Sequence, residues 1–320
     1  MEPGAKQESE SVAAAGSGVG RFVRLARPTQ WSKGVFVFVG PLYGWADGQE
    51  IAWLSVVLAF VAFGMVSSAG YVINDLRDRE EDRLHPRKKR RPIASGEVSP
   101  GEAKAFAAVL YGAALLCTAG VLALAPGWAG AWMACAVVLY AVNVAAYTAK
   151  LKHIVLMDVM SLSSGFVLRV LGGCAAAAVA PSTWLLTSTL FISMFLAFGK
   201  RLGERRTMGD GAGSARRVLD GYTDDMLRMV VVATAVGTLL TYAGYVQDRA
   251  EDYTLGFNLL WLTILPATFG LFRCMVLVER GDYDDPTELA TRDGPFQASV
   301  VLFGLMTGVL WLLQGAGYVG

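Results

Sequence analysis

The 320-residue chain has few charged side chains: 17% are Asp, Glu, Lys or Arg, whereas 54% of its residues are hydrophobic. A soluble protein of this length would be more polar, so this composition argues against a soluble enzyme. Histidine occurs only as His85 and His153, which are too few and too far apart for a zinc site. The four cysteines lie in apolar runs without metal-ligand spacing, so we interpret them as buried thiols. The formal net charge of +1 identifies no partner, and we predict no nucleic-acid partner.

The hydrophobic residues are concentrated in about nine runs, most of them close to the roughly twenty residues that cross a bilayer. These runs lie at approximately 32–46, 51–73, 103–125, 128–148, 154–179, 182–199, 225–246, 256–278 and 296–315. We therefore predict an all-α polytopic membrane protein with about nine transmembrane helices, forming one domain over residues 21–320. Residues 1–20 are rich in Ala, Gly, Ser and Glu, and we predict a disordered cytoplasmic tail there.

Basic residues mark one side of the predicted membrane protein. They are concentrated in the even-numbered connections between spans, and in the odd-numbered connections only Arg249 is basic. The positive-inside rule then predicts a plasma-membrane protein with a cytoplasmic N-terminus and an external C-terminus. The charged motifs would share the cytoplasmic face. The Gly-rich loop 205–225 on that face is either a mobile lid or a plain linker.

The stretch NDLRDREEDRLHPRKKRR at 74–91 follows a hydrophobic run and changes from acidic to basic along its length. On a continued helix, Asn74, Asp78 and Asp82 would share one face. Oxygen donors arranged in this way suit Mg²⁺, which leaves its other positions to water and substrate phosphate. The basic residues at 87–91 suit the phosphates themselves. The alternative is a solvated helix end with internal ion pairs, followed by a positive-inside anchor.

Two further charged groups lie beside predicted spans. Asp158 and Arg169 stand about three helical turns apart on one face of an apolar span. Ionisable residues inside a membrane are usually functional, although a buried structural role is the alternative. Near the end of the sixth span, Lys200 and Glu204 have the i, i+4 spacing of a helix-bracing pair. Equally, Lys200 and Arg201 suit phosphate binding. This layout favours an intramembrane site that binds Mg²⁺ and a polyanion. A lipid would enter the same site laterally, from the bilayer.

The motifs resemble those of one superfamily. Residues 74–82 resemble the NDxxDxxxD motif of the UbiA-type intramembrane prenyltransferases, and residues 91–96 resemble the RPxxSG segment that follows it. This resemblance implies nine helices around a central cavity open to the cytoplasm. Ordinary members carry a second acidic DxxxD motif after the sixth helix, whereas this chain has Lys-Arg-Leu-Gly-Glu at 200–204.

That departure is similar to the branch of the superfamily that transfers phosphoribose to decaprenyl phosphate. The similar segments lie at 27–38, 67–96, 151–173 and 195–204. The resemblance implies a Mg²⁺-dependent enzyme that moves 5-phosphoribose from phosphoribosyl diphosphate to decaprenyl phosphate, a step toward cell-wall arabinan. A donor with a diphosphate and a separate 5-phosphate suits one acidic motif and several basic clusters.

From the residues and this resemblance we assign roles as hypotheses. The oxygen-bearing residues expected to hold Mg²⁺ are Asn74, Asp78 and Asp82. The cations expected to bind phosphates are Lys89, Arg91, Lys200 and Arg201. Two carboxylates, Asp158 and Glu204, are expected either to position ribose hydroxyls or to orient the residues that contact the substrate. The side chains expected at the polar end of the lipid site are Tyr147, Lys152 and Arg169, joined by Lys33.

Other functions remain open from the sequence. The runner-up is an aromatic or haem prenyltransferase of the same superfamily, using a prenyl diphosphate. A membrane transporter of lipids or polyanions is the alternative from a different class, although the spans show no clear inverted repeat. A homo-oligomer is compatible with each of these functions.

Overall fold

The structure, a computed structural model, describes residues 18–85, 88–208, 217–280 and 292–319. Within these ranges the chain is helical, and the predicted all-α fold is confirmed. Its α-helices are α1 Gly18–Ala26, α2 Phe36–Ala46, α3 Trp53–Arg77, α4 Arg79–Leu84, α5 Pro100–Leu124, α6 Ala129–Ala149, α7 Met157–Ala176, α8 Thr183–Met208, α9 Asp224–Asp248, α10 Ile264–Arg280 and α11 Gly294–Gly315. Short 3₁₀ helices cover Pro28–Val35, Lys88–Arg90, Leu151–His153, Arg217–Gly221, Glu251–Tyr253 and Leu259–Thr263.

In the part of the chain that the structure describes, eight helices are long and apolar enough to cross a membrane: α3, α5, α6, α7, α8, α9, α10 with the 3₁₀ turn before it, and α11. The first predicted span differs from these eight, because it consists of the 3₁₀ helix Pro28–Val35 followed by the eleven-residue α2. Arg27 adopts left-handed backbone angles (φ 51°, ψ 60°) and separates this segment from α1, and Pro28 then begins the new helix. The polytopic fold is confirmed, with a broken first span.

The segment Pro28–Val35 lies close against α3 because α3 offers a glycine there. A Cβ atom on Gly64 would lie 2.9 Å from the Trp31 ring, which is closer than real side chains approach. The indole Nε1 of Trp31 donates to Ser68 Oγ at 3.0 Å, one turn further along α3. The Gly64 position therefore fixes how the first span enters the bundle.

Helix α3 is the centre of the first half of the bundle. It packs against α5, α6 and α7, and their shared core includes the fully buried Phe63 and Met133. The second half packs α7 and α8 against α9 and α10, around Phe195, Phe198 and Leu227. Helix α7 belongs to both halves, so its side chains face both cores.

The predicted tail and loop are only partly described. Residues 1–17 of the predicted tail lie outside the described residues, and residues 18–20 begin α1. Leu25 of α1 is fully buried against α3 and α5. Of the predicted loop 205–225, residues 209–216 lie outside the described residues, and the 3₁₀ helix Arg217–Gly221 leads into α9.

Candidate active site

The acidic motif at 74–82 does not form the continuous helix that its spacing predicts. Helix α3 ends at Arg77, Asp78 has ψ 5°, and α4 begins at Arg79. The i→i+4 backbone hydrogen bonds nevertheless continue through this point, because the Asp78 N–H donates to the Asn74 carbonyl and the Asp82 N–H to the Asp78 carbonyl, each at 2.9 Å. Asn74 and Asp78 meet, whereas Asp82 has a different partner. Asp82 is bonded to Arg91, and its role as a third metal ligand stays a prediction.

The first cluster, the Asn74–Asp78–Lys152 site, joins the end of α3 to the connection between α6 and α7. Lys152 Nζ donates to Asn74 Oδ1 at 3.0 Å and lies 2.7 Å from both carboxylate oxygens of Asp78. Asn74 Nδ2 donates to Asp78 Oδ2 at 3.0 Å, which orients the amide oxygen toward Lys152. Three oxygen atoms thus converge on one cation.

A second cluster is a chain of alternating charges that begins one residue further along α3. Asp75, only 2% exposed, accepts from Arg27 Nη2 at 2.7 and 2.5 Å and from Arg91 Nη1 at 3.0 Å. The same Arg91 nitrogen donates to Asp82 Oδ2 at 2.7 Å. Asp82, also 2% exposed, is therefore held by Arg91. This chain of charges holds the end of α3 together with α4 and with the residue that precedes the first span.

A third cluster connects α7, α8 and the segment before α9. Asp158 is fully buried and accepts from Arg201 Nε at 2.8 Å and from the Tyr222 hydroxyl at 2.6 Å. Arg201, 1% exposed, also donates to Glu204 Oε2 at 3.1 Å. Burial and the Asp158 carboxylate raise the pKa of the Tyr222 hydroxyl well above its usual range. Tyr222 is therefore a neutral hydrogen-bond donor at physiological pH.

A fourth polar group lies deeper in the bundle, around Arg169 of α7. The side chain is 7% exposed, and its Nη2 lies 2.5 Å from the Tyr140 hydroxyl and 3.5 Å from Ser67 Oγ. Its Nη1 donates to the Gly165 carbonyl at 3.0 Å, and the guanidinium lies over the Tyr140 ring. Within the described ranges, Arg169 has no carboxylate partner. A buried cation with neutral partners only is costly, so an anionic ligand would stabilise it.

The structure also locates the remaining predicted side chains. Three of them, Lys33, Tyr147 and Lys200, are half-buried, and each has an electrostatic or hydrogen-bonding partner. Lys89 is exposed on the short 3₁₀ helix after α4. Asp158 does not share a partner with Arg169, despite their common helix face, because Arg201 reaches Asp158 from α8.

Sequence reasoning missed four members of these clusters: Arg27, Asp75, Tyr140 and Tyr222. Asp75 belongs to the acidic motif. Its place at the end of an apolar helix could have indicated that it is buried and paired. Tyr222 had no local signal, because it meets Asp158 across 64 residues of sequence. The Tyr222 hydroxyl also accepts the Leu156 N–H at 2.8 Å, where Leu156 has φ 67°. Tyr222 therefore holds a strained residue immediately before α7.

The Asn74–Asp78–Lys152 site fits a divalent cation by its donor chemistry. Amide and carboxylate oxygens suit Mg²⁺, and the Lys152 ammonium marks the point on which they converge. Among the described residues, no group of three or more His, Cys, Asp or Glu side chains could hold a metal ion. The oxygen donors that the described residues supply to this point are thus few. This suits an ion that completes its coordination with water and substrate oxygens.

The fold and the site define a polytopic helical membrane protein with buried acidic and basic clusters. The model of the UbiA prenyltransferase family matches residues 34–300. The chain therefore belongs to the UbiA prenyltransferase family and is a membrane transferase of that family.

Relatives of known name extend this comparison. The chain is 33% identical over 289 residues to the decaprenyl-phosphate phosphoribosyltransferase of Mycolicibacterium smegmatis, covering 87% of this chain and 88% of that protein. It is 33% identical over 281 residues to the protein of the same name from Corynebacterium glutamicum, covering 86% and 82% of the two chains. A solved UbiA homolog from Archaeoglobus fulgidus, bound to GPP and Mg²⁺, superposes with a TM-score of 0.65 at 18% identity. That match covers 92% of this chain and 98% of the homolog, and it confirms the UbiA-like fold.

Proposed function

We propose that the chain transfers 5-phosphoribose from phosphoribosyl diphosphate to decaprenyl phosphate and releases diphosphate. The observation that carries the proposal is the difference in charge between the two motifs. One oxygen-donor pair, Asn74 and Asp78, meets the cation Lys152, and Lys-Arg-Leu-Gly-Glu at 200–204 occupies the place of a second acidic motif. A sugar diphosphate with a separate 5-phosphate needs this charge pattern more than a prenyl diphosphate does. The two relatives that share a third of the residues carry the name of this activity.

In this proposal Asn74 and Asp78 hold Mg²⁺. The ion would stabilise negative charge on the departing diphosphate. Lys152, already directed at the same point, would donate to diphosphate oxygens, and exposed Lys89 would attract the polyanion. Asp82 would join only if its bond to Arg91 opens, which would free Arg91 for a phosphate as well.

The second half of the donor site would be built on α8. Lys200 is half-buried, eight residues before the end of α8, and is our candidate for the 5-phosphate. Arg201 is bonded to Asp158 through Nε and to Glu204 through Nη1, so we infer that it acts by positioning Glu204 toward the ribose hydroxyls. Direct phosphate binding by Arg201 would require both of these ion pairs to open.

The acceptor would approach from the lipid with its phosphate toward the Arg169 group. Arg169 supplies the buried positive charge, with Tyr147 and Lys33 nearer the helix ends. The lipid phosphate is ionised at neutral pH, so the reaction needs no general base. Catalysis then rests on positioning and on stabilising the leaving group. In-line attack predicts inversion at the anomeric carbon.

The decisive experiment supplies purified protein in nanodiscs with radiolabelled phosphoribosyl diphosphate and decaprenyl phosphate, with and without Mg²⁺. We expect label in the lipid fraction only when Mg²⁺ is present. A parallel arm supplies a prenyl diphosphate with an aromatic acceptor. Transfer in that arm, together with none from phosphoribosyl diphosphate, would overturn the proposal in favour of an aromatic prenyltransferase. We expect the polar helix ends and the site to face the cytoplasm of a bacterial plasma membrane.

A further inference from the structure

Lys152 occupies the centre of the oxygen donors that we assign to the metal. Its Nζ lies 3.0 Å from Asn74 Oδ1 and 2.7 Å from each carboxylate oxygen of Asp78. A lysine ammonium has three N–H donors, and three oxygens surround it here. The chain thus supplies its own cation to the site.

The surroundings hold this arrangement in place. The Lys152 side chain is 12% exposed, and that of Asp78 is 24% exposed, so both are partly withdrawn from solvent. Asn74 Nδ2 donates to Asp78 Oδ2, which turns the amide oxygen of Asn74 toward the ammonium. Lys152 comes from the 3₁₀ helix Leu151–His153, so it reaches α3 from a separate part of the chain. This ion pair is therefore a tertiary contact between two segments.

The ammonium and a divalent ion cannot both use these oxygens. Mg²⁺ binds oxygen at about 2.0–2.1 Å, so it would lie within a few ångströms of Nζ. At that separation two cations repel strongly in partly buried surroundings. Any divalent ion that takes Asn74 and Asp78 must therefore displace Lys152.

We propose that Lys152 is an internal stand-in cation that makes metal binding at Asn74 and Asp78 depend on a diphosphate. This inference rests on the metal assignment in the proposed function. A metal ion alone would displace the ammonium and deprive it of its acceptors. A metal ion that enters with a diphosphate brings phosphate oxygens, which accept charge-assisted hydrogen bonds from the same ammonium. Lys152 then turns from Asp78 to the diphosphate, and the metal and the donor bind together.

A purely structural Lys152 would behave differently. If it only tied the α6–α7 connection to α3, its removal would lower stability and would weaken the metal site by loosening its two ligands. The stand-in role predicts instead that removal of Lys152 strengthens metal binding in the absence of substrate. The affinity for a metal ion alone therefore separates the two roles without any measurement of turnover.

The experiment measures Mn²⁺ binding to the full-length chain in nanodiscs by electron paramagnetic resonance of the free ion, with and without inorganic pyrophosphate. In the wild type we expect weak binding of Mn²⁺ alone and binding at least about tenfold tighter with pyrophosphate. Lys152→Gln should bind Mn²⁺ alone at least about tenfold more tightly than the wild type and should respond less to pyrophosphate. Lys152→Arg, which keeps the positive charge, should resemble the wild type. Lys150→Gln is the matched control, because Lys150 is exposed two residues away.

Two results would overturn the inference, and only one of them also overturns the metal assignment. If Lys152→Gln binds Mn²⁺ alone no better than the wild type, while Asp78→Ala loses the pyrophosphate-dependent binding, only the role of Lys152 is wrong. If Asp78→Ala binds Mn²⁺ as well as the wild type with pyrophosphate, the metal assignment also fails. The expected pattern is tighter binding of Mn²⁺ alone in Lys152→Gln and unchanged binding in Lys152→Arg. It would support both the role of Lys152 and the metal assignment.

Discussion

The buried ion pair between Asp158 and Arg201 predicts an asymmetric response to removal of either partner. Asp158 is fully buried, so Arg201→Met would leave a carboxylate whose one remaining side-chain donor among the described residues is the Tyr222 hydroxyl. Breaking a buried pair from one side costs about 3–5 kcal/mol. Asp158→Asn should cost less, because Arg201 keeps its bond to Glu204. We expect Arg201→Met to be the more destabilising of the two.

The double variant Asp158→Asn/Arg201→Met removes both charges and completes a double-mutant cycle with the two single variants. With no unpaired charge left behind, we expect it to be more stable than Arg201→Met alone, with a coupling of about 1–3 kcal/mol. The assay is thermal unfolding followed by tryptophan fluorescence in nanodiscs. Arg201→Met should lower the midpoint by roughly 5–15 °C. Lys150→Met, at an exposed position, serves as the charge-removal control.

Two outcomes would refute this reasoning about burial. One is a loss of stability in Asp158→Asn that equals or exceeds the loss in Arg201→Met. The other is strict additivity in the double variant, because additivity would mean that the two charges do not interact. Either outcome would imply that water or another group reaches Asp158.

Three further predictions concern separate clusters. Asp78→Ala should reduce turnover by ~10² or more, as for the loss of an electrostatic catalyst, whereas exposed Glu81→Ala should retain it; equal rates in the two variants would remove Asp78 from the site. Arg169→Met should leave the unfolding midpoint unchanged or higher, because it removes a buried charge with neutral partners, yet should raise the Michaelis constant for the lipid phosphate about tenfold or more; a large fall in the midpoint would show that Arg169 is structural. The Arg273 guanidinium and the backbone N–H at the start of α11 hold the pKa of Asp293 below its usual range. Its stabilising effect should therefore be complete above about pH 4, near its unfolded pKa, and disappear as pH falls through the lower folded pKa. Asp293→Asn should lower the midpoint at pH 7 and flatten this acid dependence, and an unchanged acid profile would contradict the assignment.

The sequence predicted the parts of the fold that depend on local pattern. Hydrophobic runs located the long helices, and Ser99 with Glu102 forms a capping box where the third run begins. Pairings between distant segments could not be predicted in the same way. Asp158 and Arg201 are 43 residues apart, and no periodicity within either helix indicates their contact.

The site shows the same division. The composition of the acidic motif indicated an ion-binding role, which stays a prediction; in the structure Asn74 and Asp78 converge on the Lys152 ammonium. The break at Asp78 was hidden, because the surrounding residues have ordinary helical propensity and the departure is a single ψ angle. The pairing of Asp82 with Arg91 was equally hidden, because it joins α4 to a residue beyond the next 3₁₀ helix.

The broken first span has a consequence for bilayer thickness. A 3₁₀ helix rises about 2.0 Å per residue and an α-helix about 1.5 Å. The eight residues of Pro28–Val35 and the eleven of Phe36–Ala46 therefore extend for roughly 32 Å, compared with roughly 28 Å for an unbroken α-helix of the same length. A hydrocarbon core is about 30 Å thick. The tighter winding thus gives this segment a length close to the thickness of a hydrocarbon core.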